Sequence, residues 1–177
     1  MKLITLDRII VRSLPGSPSR GRLRAGGWDF PCALGRSGIR ATKREGDGVT
    51  PSGRYRALAA FWRPDRVERP KTALPLSPIG ESCGWCDDPA DRNYNRPVTL
   101  PYAARTEAMR REDRLYDIVV DLDWNRGPIA KHKGSAIFLH VASLGYAPTE
   151  GCIAVAPEDL RKLLAHIGPE TVFDVRR

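Results

Sequence analysis

Short β-prone runs, each closed by Gly, Pro, Asn or Asp, constrain this chain more than any other feature. Residues 3–12, 20–24, 28–34, 54–60, 115–122, 135–141 and 171–175 are expected to be strands, with Gly, Pro, Asn and Asp between them. Gly46-Asp47-Gly48 and Pro51-Ser52-Gly53 carry turn chemistry. One helix is expected from Pro157 to Ile167. Proline suits a first turn, Glu158 and Asp159 favour its positive end, and Leu160, Leu163, Leu164 and Ile167 fall on one face. Gly168-Pro169 stops it. The stretch from Arg63 to Arg105 is proline- and arginine-rich with weak periodicity. It reads as a long excursion beside a cleft, with a helical turn around Ala103 to Arg111. The expected fold is mainly β with one or two short helices, in a single domain over residues 1–177.

Length and composition support a folded core. At 177 residues, with 41% apolar content and four tryptophans, the chain is neither a stapled miniprotein nor disordered. Its net charge is +8, and 23 of its 29 basic residues are arginine. They are scattered along the sequence, so most read as solvated surface, although the excess favours anionic partners. No RNA-recognition signature, zinc-finger spacing or basic amphipathic helix is present, so nucleic acid is not expected as a partner. The N-terminus carries Asp7 and Arg8 inside what a secretory signal would keep apolar. No run approaches the roughly eighteen apolar residues of a membrane span. A cytoplasmic location is the expectation, or a periplasmic one if the sequence lacks its export signal.

The chemistry concentrates between residues 135 and 155. The run Ser135-Ala136-Ile137-Phe138-Leu139 ends on His140, and a Gly/Pro-punctuated loop leads to Thr149-Glu150-Gly151-Cys152-Ile153. A thiol beside an imidazole is the minimal apparatus for acyl transfer through a thioester, and N–H groups of the turn can receive the oxyanion. Glycine at 151 permits a tight backbone there and leaves the N–H groups of Gly151 and Cys152 unshielded. The plainer alternative is a buried apolar cysteine and a satisfied core histidine. Against it, His140 stands where strand gives way to loop.

The segment His140…Thr149-Glu150-Gly151-Cys152-Ile153 resembles the signature of the L,D-transpeptidase catalytic domain, also called YkuD-like. Lys43 to Tyr55, with Gly46-Asp47-Gly48-Val49-Thr50-Pro51-Ser52-Gly53, resembles that family's early hairpin. Gly84 to Pro89, Tyr94-Asn95 and Leu115-Tyr116-Asp117 resemble blocks of one proteobacterial branch. The resemblance is strongest over residues 20–177. It implies a β-sandwich with mixed sheets and no cofactor or metal. It also implies Cys152 as nucleophile, His140 as base and Gly151 in the oxyanion turn. Thr149 matches the family's hydroxyl position, and Tyr146, Trp85, Asp87, Arg110 and Arg111 are candidate substrate contacts. Two positions depart from the pattern. Glu150 stands where many members have a base, and Ala154 where they have an arginine, which leaves the contact to a substrate carboxylate open.

The implied substrate is a peptidoglycan stem peptide or muropeptide, cut at the bond between diaminopimelate and D-alanine. With water as acceptor the activity is L,D-carboxypeptidation. With an amine it is transpeptidation forming 3–3 cross-links. A non-catalytic cell-wall-binding module is the alternative from a different class. Cys83-Gly84-Trp85-Cys86 has the spacing of a redox dithiol or half a zinc site, but Asp87-Asp88-Pro89 follows instead of a helix start, so a loop-stabilising or incidental pair is expected.

Overall fold

The computed structural model describes residues 5–177. The start of the first expected strand, at residues 3 and 4, lies outside them. β1 (Arg8–Leu14), β2 (Ser17–Ala25) and β3 (Trp28–Ala33) form an antiparallel meander. β14 (Val172–Arg176) lies parallel to β1 and antiparallel to β6 (Gly53–Trp62). β6 also pairs with β11 (Ile118–Leu122), and β11 with β12 (Phe138–Val141). β12 runs parallel to β13 (Ile153–Val155), which meets β3 through Ala154 and Ala33. Eight strands therefore close in the order β11-β12-β13-β3-β2-β1-β14-β6, with β7 (Leu76–Pro78) attached to β6. The mixed sheet agrees with the mainly β expectation.

Alternation explains the closure. Ile9 and Val11, Leu23 and Ala25, Tyr55 and Ala57, and Phe173 and Val175 all point inward, where they meet Leu139, Val141, Ile153 and Val155 in the main core. The helix α1 (Pro157–Leu164) adds Leu160, Leu163 and Leu164 to the same core. It stops three residues earlier than expected. The His166 N–H reaches back to the Leu163 carbonyl, tightening the last turn before Gly168, while Ile167 stays buried beyond it.

The excursion after β6 is more structured than its composition implies. β8 (Cys83–Cys86) pairs with β9 (Arg96–Thr99) and β10 (Thr106–Ala108) in a small antiparallel sheet. The expected helical turn over 103–111 is instead this edge strand, because Thr106 to Ala108 find partners in Cys86 to Gly84. Another two-stranded sheet joins β4 (Ile39–Arg40) to β5 (Thr50–Pro51). The small sheet covers a second apolar cluster on the outer face of β11 and β12, containing Trp85, Tyr116, Val119, Phe138 and Cys152. Trp85 packs edge-on against Phe138, with ring centroids 4.9 Å apart.

Asn95 locks that cluster in place. Its Oδ1 accepts from the Trp85 indole N–H at 3.2 Å and from the Ala136 N–H at 3.0 Å. Its Nδ2 donates to the carbonyls of Trp124 and Asn125. The backbone there has φ 57°, a conformation asparagine tolerates better than most residues. Asn95→Ala removes four partners from a buried site and is expected to cost about 2–4 kcal/mol, read as a lower urea midpoint with an unchanged m-value.

Candidate active site

The parallel register of β12 and β13 assembles the site. Leu139 lies opposite Ile153 and His140 opposite Ala154. Because side chains alternate along each strand, Leu139, Val141, Ile153 and Val155 enter the main core. Phe138, His140, Cys152 and Ala154 therefore turn to the other face. His140 and Cys152 both line a cleft of about 770 Å³. Cys152 is the one cysteine on that lining; Cys32 packs in the main core, and Cys83 and Cys86 lie on β8.

The Cys152 thiol is held in its neutral form. Its S–H donates to the Ala136 carbonyl at 3.1 Å, and its sulfur accepts the Phe138 N–H at 3.4 Å. Burial pushes the thiol up to about 12, against lesser opposing help from the Phe138 N–H and the Lys43 and Arg111 charges. His140 is also buried, and desolvation lowers its imidazole to about 4. Its Nδ1 lies 2.8 Å from the Val141 carbonyl, which can only accept, so Nδ1 carries the proton and Nε2 keeps its lone pair. Thus the orienting group for His140 is a backbone carbonyl. The Tyr116 ring packs edge-on against the imidazole at 5.3 Å, and its hydroxyl donates to Glu107 at 2.7 Å.

The turn before Cys152 differs in one respect from expectation. The Thr149 hydroxyl donates to the Cys152 carbonyl at 2.7 Å and accepts the Gly151 N–H at 3.2 Å. The Gly151 N–H is therefore engaged and is not a free oxyanion donor. The Cys152 N–H has no partner among the described residues. Gly151 is required for space and conformation instead. Its φ is 140°, and a Cβ there would meet the Val49 carbonyl at 2.7 Å.

The other expected contacts divide. Asp87 and Arg111 line the cleft, as does Thr149. Asp87 is held by Arg105 at 3.0 Å, and Arg111 bridges Glu107 and Asp113 while stacking over Tyr116. Trp85 is only 1% exposed and supports Phe138 from behind, so it does not reach the cleft. Arg110 pairs with Asp65 and Glu81 instead of entering. Tyr146 also lies off the lining, where burial first and then the nearby Asp159 carboxylate raise its hydroxyl above the usual range. Cys83 and Cys86, three apart on one strand, point to opposite faces, which separates them as a dithiol. Among the described residues, no three His, Cys, Asp or Glu side chains gather as a metal site.

Lys43, Glu45 and Glu107 also line the cleft and were not singled out from sequence as site residues. Lys43 is buried and paired with Asp47 at 2.6 Å. Its stem runs in the space left by Gly134, and its Nζ lies 3.5 Å from where a Gly151 Cβ would be. Glu45 accepts from the Tyr94 and Ser135 hydroxyls. The available signal for Lys43 was its place at the head of the Gly46-Asp47 hairpin. Glu107 was hidden in the segment expected to be helical.

The L,D-transpeptidase catalytic-domain model matches residues 17–175. The chain belongs to this family. Among solved structures, L,D-transpeptidase 1 of Mycobacterium tuberculosis is similar at 15% identity and a TM-score of 0.41. The comparison covers 95% of this chain and 61% of that one. Comparison with curated proteins gives no match. The matched model is that of a catalytic domain, and the cleft has one cysteine and one histidine on its lining.

Two outcomes follow from the buried thiol and imidazole. With the imidazole at about 4 in the folded chain against an ordinary 6.5, the unfolded chain binds the proton more readily between those values. Stability from this group is therefore full above pH 6.5 and declines as pH falls toward 4, by at most about 3 kcal/mol. His140→Gln is expected to flatten the pH dependence of unfolding in that window relative to the parent, as read by denaturant titration. Separately, Lys43 favours the Cys152 thiolate. Lys43→Met is expected to slow iodoacetamide alkylation of Cys152 roughly three- to tenfold at fixed pH, with Lys43→Arg retaining most of the rate; mass spectrometry of the labelled chain measures both.

Proposed function

We propose that this chain is an L,D-carboxypeptidase acting through a Cys152 thioester on peptidoglycan tetrapeptide stems. The observation that carries the reading is the thiol and the proton-accepting imidazole on one strand face at the base of a single charged cleft. Because both groups rest neutral, proton transfer accompanies attack instead of preceding it. As Cys152 sulfur bonds to the carbonyl carbon of the diaminopimelate–D-alanine bond, its proton passes to His140 Nε2. The oxyanion is received by the Cys152 N–H, within the field of Lys43. The C–N bond then breaks, and D-alanine leaves with the proton from His140. Water attacks the thioester with His140 again as base, which releases the tripeptide carboxylate and restores the thiol.

The cleft suits a zwitterionic peptide. Glu45, Asp87 and Glu107 offer acids for the free amine of a diamino acid, and Lys43, Arg105 and Arg111 offer cations for its carboxylates. Ala154, opposite His140, presents only a methyl group there, so carboxylate recognition falls to these cations. Water is favoured as acceptor because it needs no second binding site beside the acyl-enzyme.

The test is mass spectrometry of products from a disaccharide-tetrapeptide, with and without an added D-amino acid. Loss of one D-alanine is expected, abolished in a folded Cys152→Ala variant. Exchange or dimer products would assign an amine acceptor and 3–3 transpeptidation. An untouched substrate would move the reading to a binding module.

A further inference from the structure

Arginines that are scattered in sequence converge on one side of the closed sheet. On β2, Arg20, Arg22 and Arg24 alternate with buried Gly21, Leu23 and Ala25, and on β1, Arg8 and Arg12 alternate with Ile9 and Val11. β6 adds Arg54 and Arg56, and β14 adds Arg176. The register brings them side by side: Arg12 lies opposite both Arg22 and Arg176, and Arg54 opposite Asp174. Four adjacent strands thus present eight arginines on a patch roughly 15 Å across and of similar length, from ordinary strand spacing and rise.

Three carboxylates answer them. Asp29 pairs with Arg22 and Arg24, Asp174 lies beneath Arg176, and Glu170 approaches Arg56 at 3.5 Å. Arg8, Arg12 and Arg54 have no ion pair within salt-bridge distance among the described residues, and all three are exposed. The arrays of like charge cost stability through self-repulsion, which a purely structural sheet face would avoid by mixing signs.

We propose that this face docks on a lipid surface bearing acidic headgroups. Guanidinium groups spread over two dimensions of the closed sheet's outer wall match a layer of headgroup phosphates, each Arg offering paired N–H donors. Leu58, 39% exposed, stands on the same face two residues beyond Arg56 and offers an apolar contact at the headgroup boundary. The closed order of eight strands puts β1 four places from β12. The cleft therefore lies across the closed sheet from β1. Arg20 stands at the near edge of the face, where it donates to the Gly145 carbonyl. A molecule docked through β1 and β14 keeps the cleft free for water-borne substrate. This association is peripheral: no helix among the described residues is long and apolar enough to cross a membrane.

The experiment is flotation of the purified protein with phosphatidylcholine vesicles, with and without phosphatidylglycerol, across a salt series. Binding to the acidic vesicles alone is expected, falling as salt rises. Combined Arg8, Arg12, Arg24 and Arg54→Gln substitution is expected to weaken it at least about tenfold, whereas Lys at the same four positions retains it. A control with Arg92, Arg96, Lys131 and Lys133→Gln, which removes equal charge elsewhere, is expected to bind like the parent. Thermal unfolding checks that each variant folds, and the Lys set and salt series decide the matter should the Gln set not fold. Absence of binding to acidic vesicles at low salt, or equal losses in the face and control variants, would overturn the proposal. So would displacement from the vesicles by an equal charge of duplex DNA, which would point to a nucleic acid.

Discussion

One parallel strand pair sets the rest of this protein. β12 and β13 are joined so that His140 faces Ala154, with Cys152 two residues back on the same side. From strand spacing and rise, the two backbone positions are roughly 8 Å apart, a span an imidazole and a thiol bridge from either side. A one-residue slip would send both functional groups into the main core and bring Leu139 and Ile153 to the cleft. The inward set of Leu139, Val141, Ile153 and Val155 forbids that slip, because it would place His140 among aliphatic side chains. Apolar packing on one face of the pair thereby fixes chemistry on the other.

Burial is what gives this pair its character. A solvated thiol and imidazole would titrate freely; here desolvation pushes the first up to about 12 and the second down to about 4. The result is a site with no charge of its own, sealed by Phe138 and Tyr116 and bordered by ion pairs. The Arg111–Glu107–Tyr116 network anchors the wall beside His140. Lys43, held against Asp47 and threaded past Gly134, carries the nearest buried positive charge to the Gly151 turn. In the proposed reaction, charge that develops beside these buried groups meets fixed partners, which act more strongly there than in bulk water. The proposed zwitterionic substrate would meet the same logic in the acidic and basic walls of the cleft.

Much of this was legible in the linear chain. Alternation at residues 54–60 and 171–175 marked true strands, and the periodic leucines after Pro157 marked the helix. His140 at a strand end and Gly151-Cys152 at a turn marked the two candidates that share one cleft. The small sheet was not legible, because β8, β9 and β10 are only three or four residues long and take their stability from pairing with one another. For the same reason Thr106 to Ala108 passed as a helical turn. Trp85 was a candidate substrate contact, yet its ring packs against Phe138, away from the cleft. Arg110 and Arg111 are neighbours in sequence, and only their side-chain directions separate the one that enters the cleft from the one that pairs with Asp65.

The sequence by itself determined the longer strands, the helix and which residues are candidates for the chemistry, because these follow from local periodicity and residue type, whereas β13 and the small sheet are too short to carry such a signal. Only the tertiary structure decided which groups meet. The engagement of the Gly151 N–H by Thr149, the approach of Lys43 to the turn, and the Val141 carbonyl that orients His140 all depend on distances set by packing. The arginines show the division most plainly. They read as scattered solvated charge in one dimension, and strand register gathers eight of them onto one face, since pairing joins residues whose separation in sequence carries no trace of their contact.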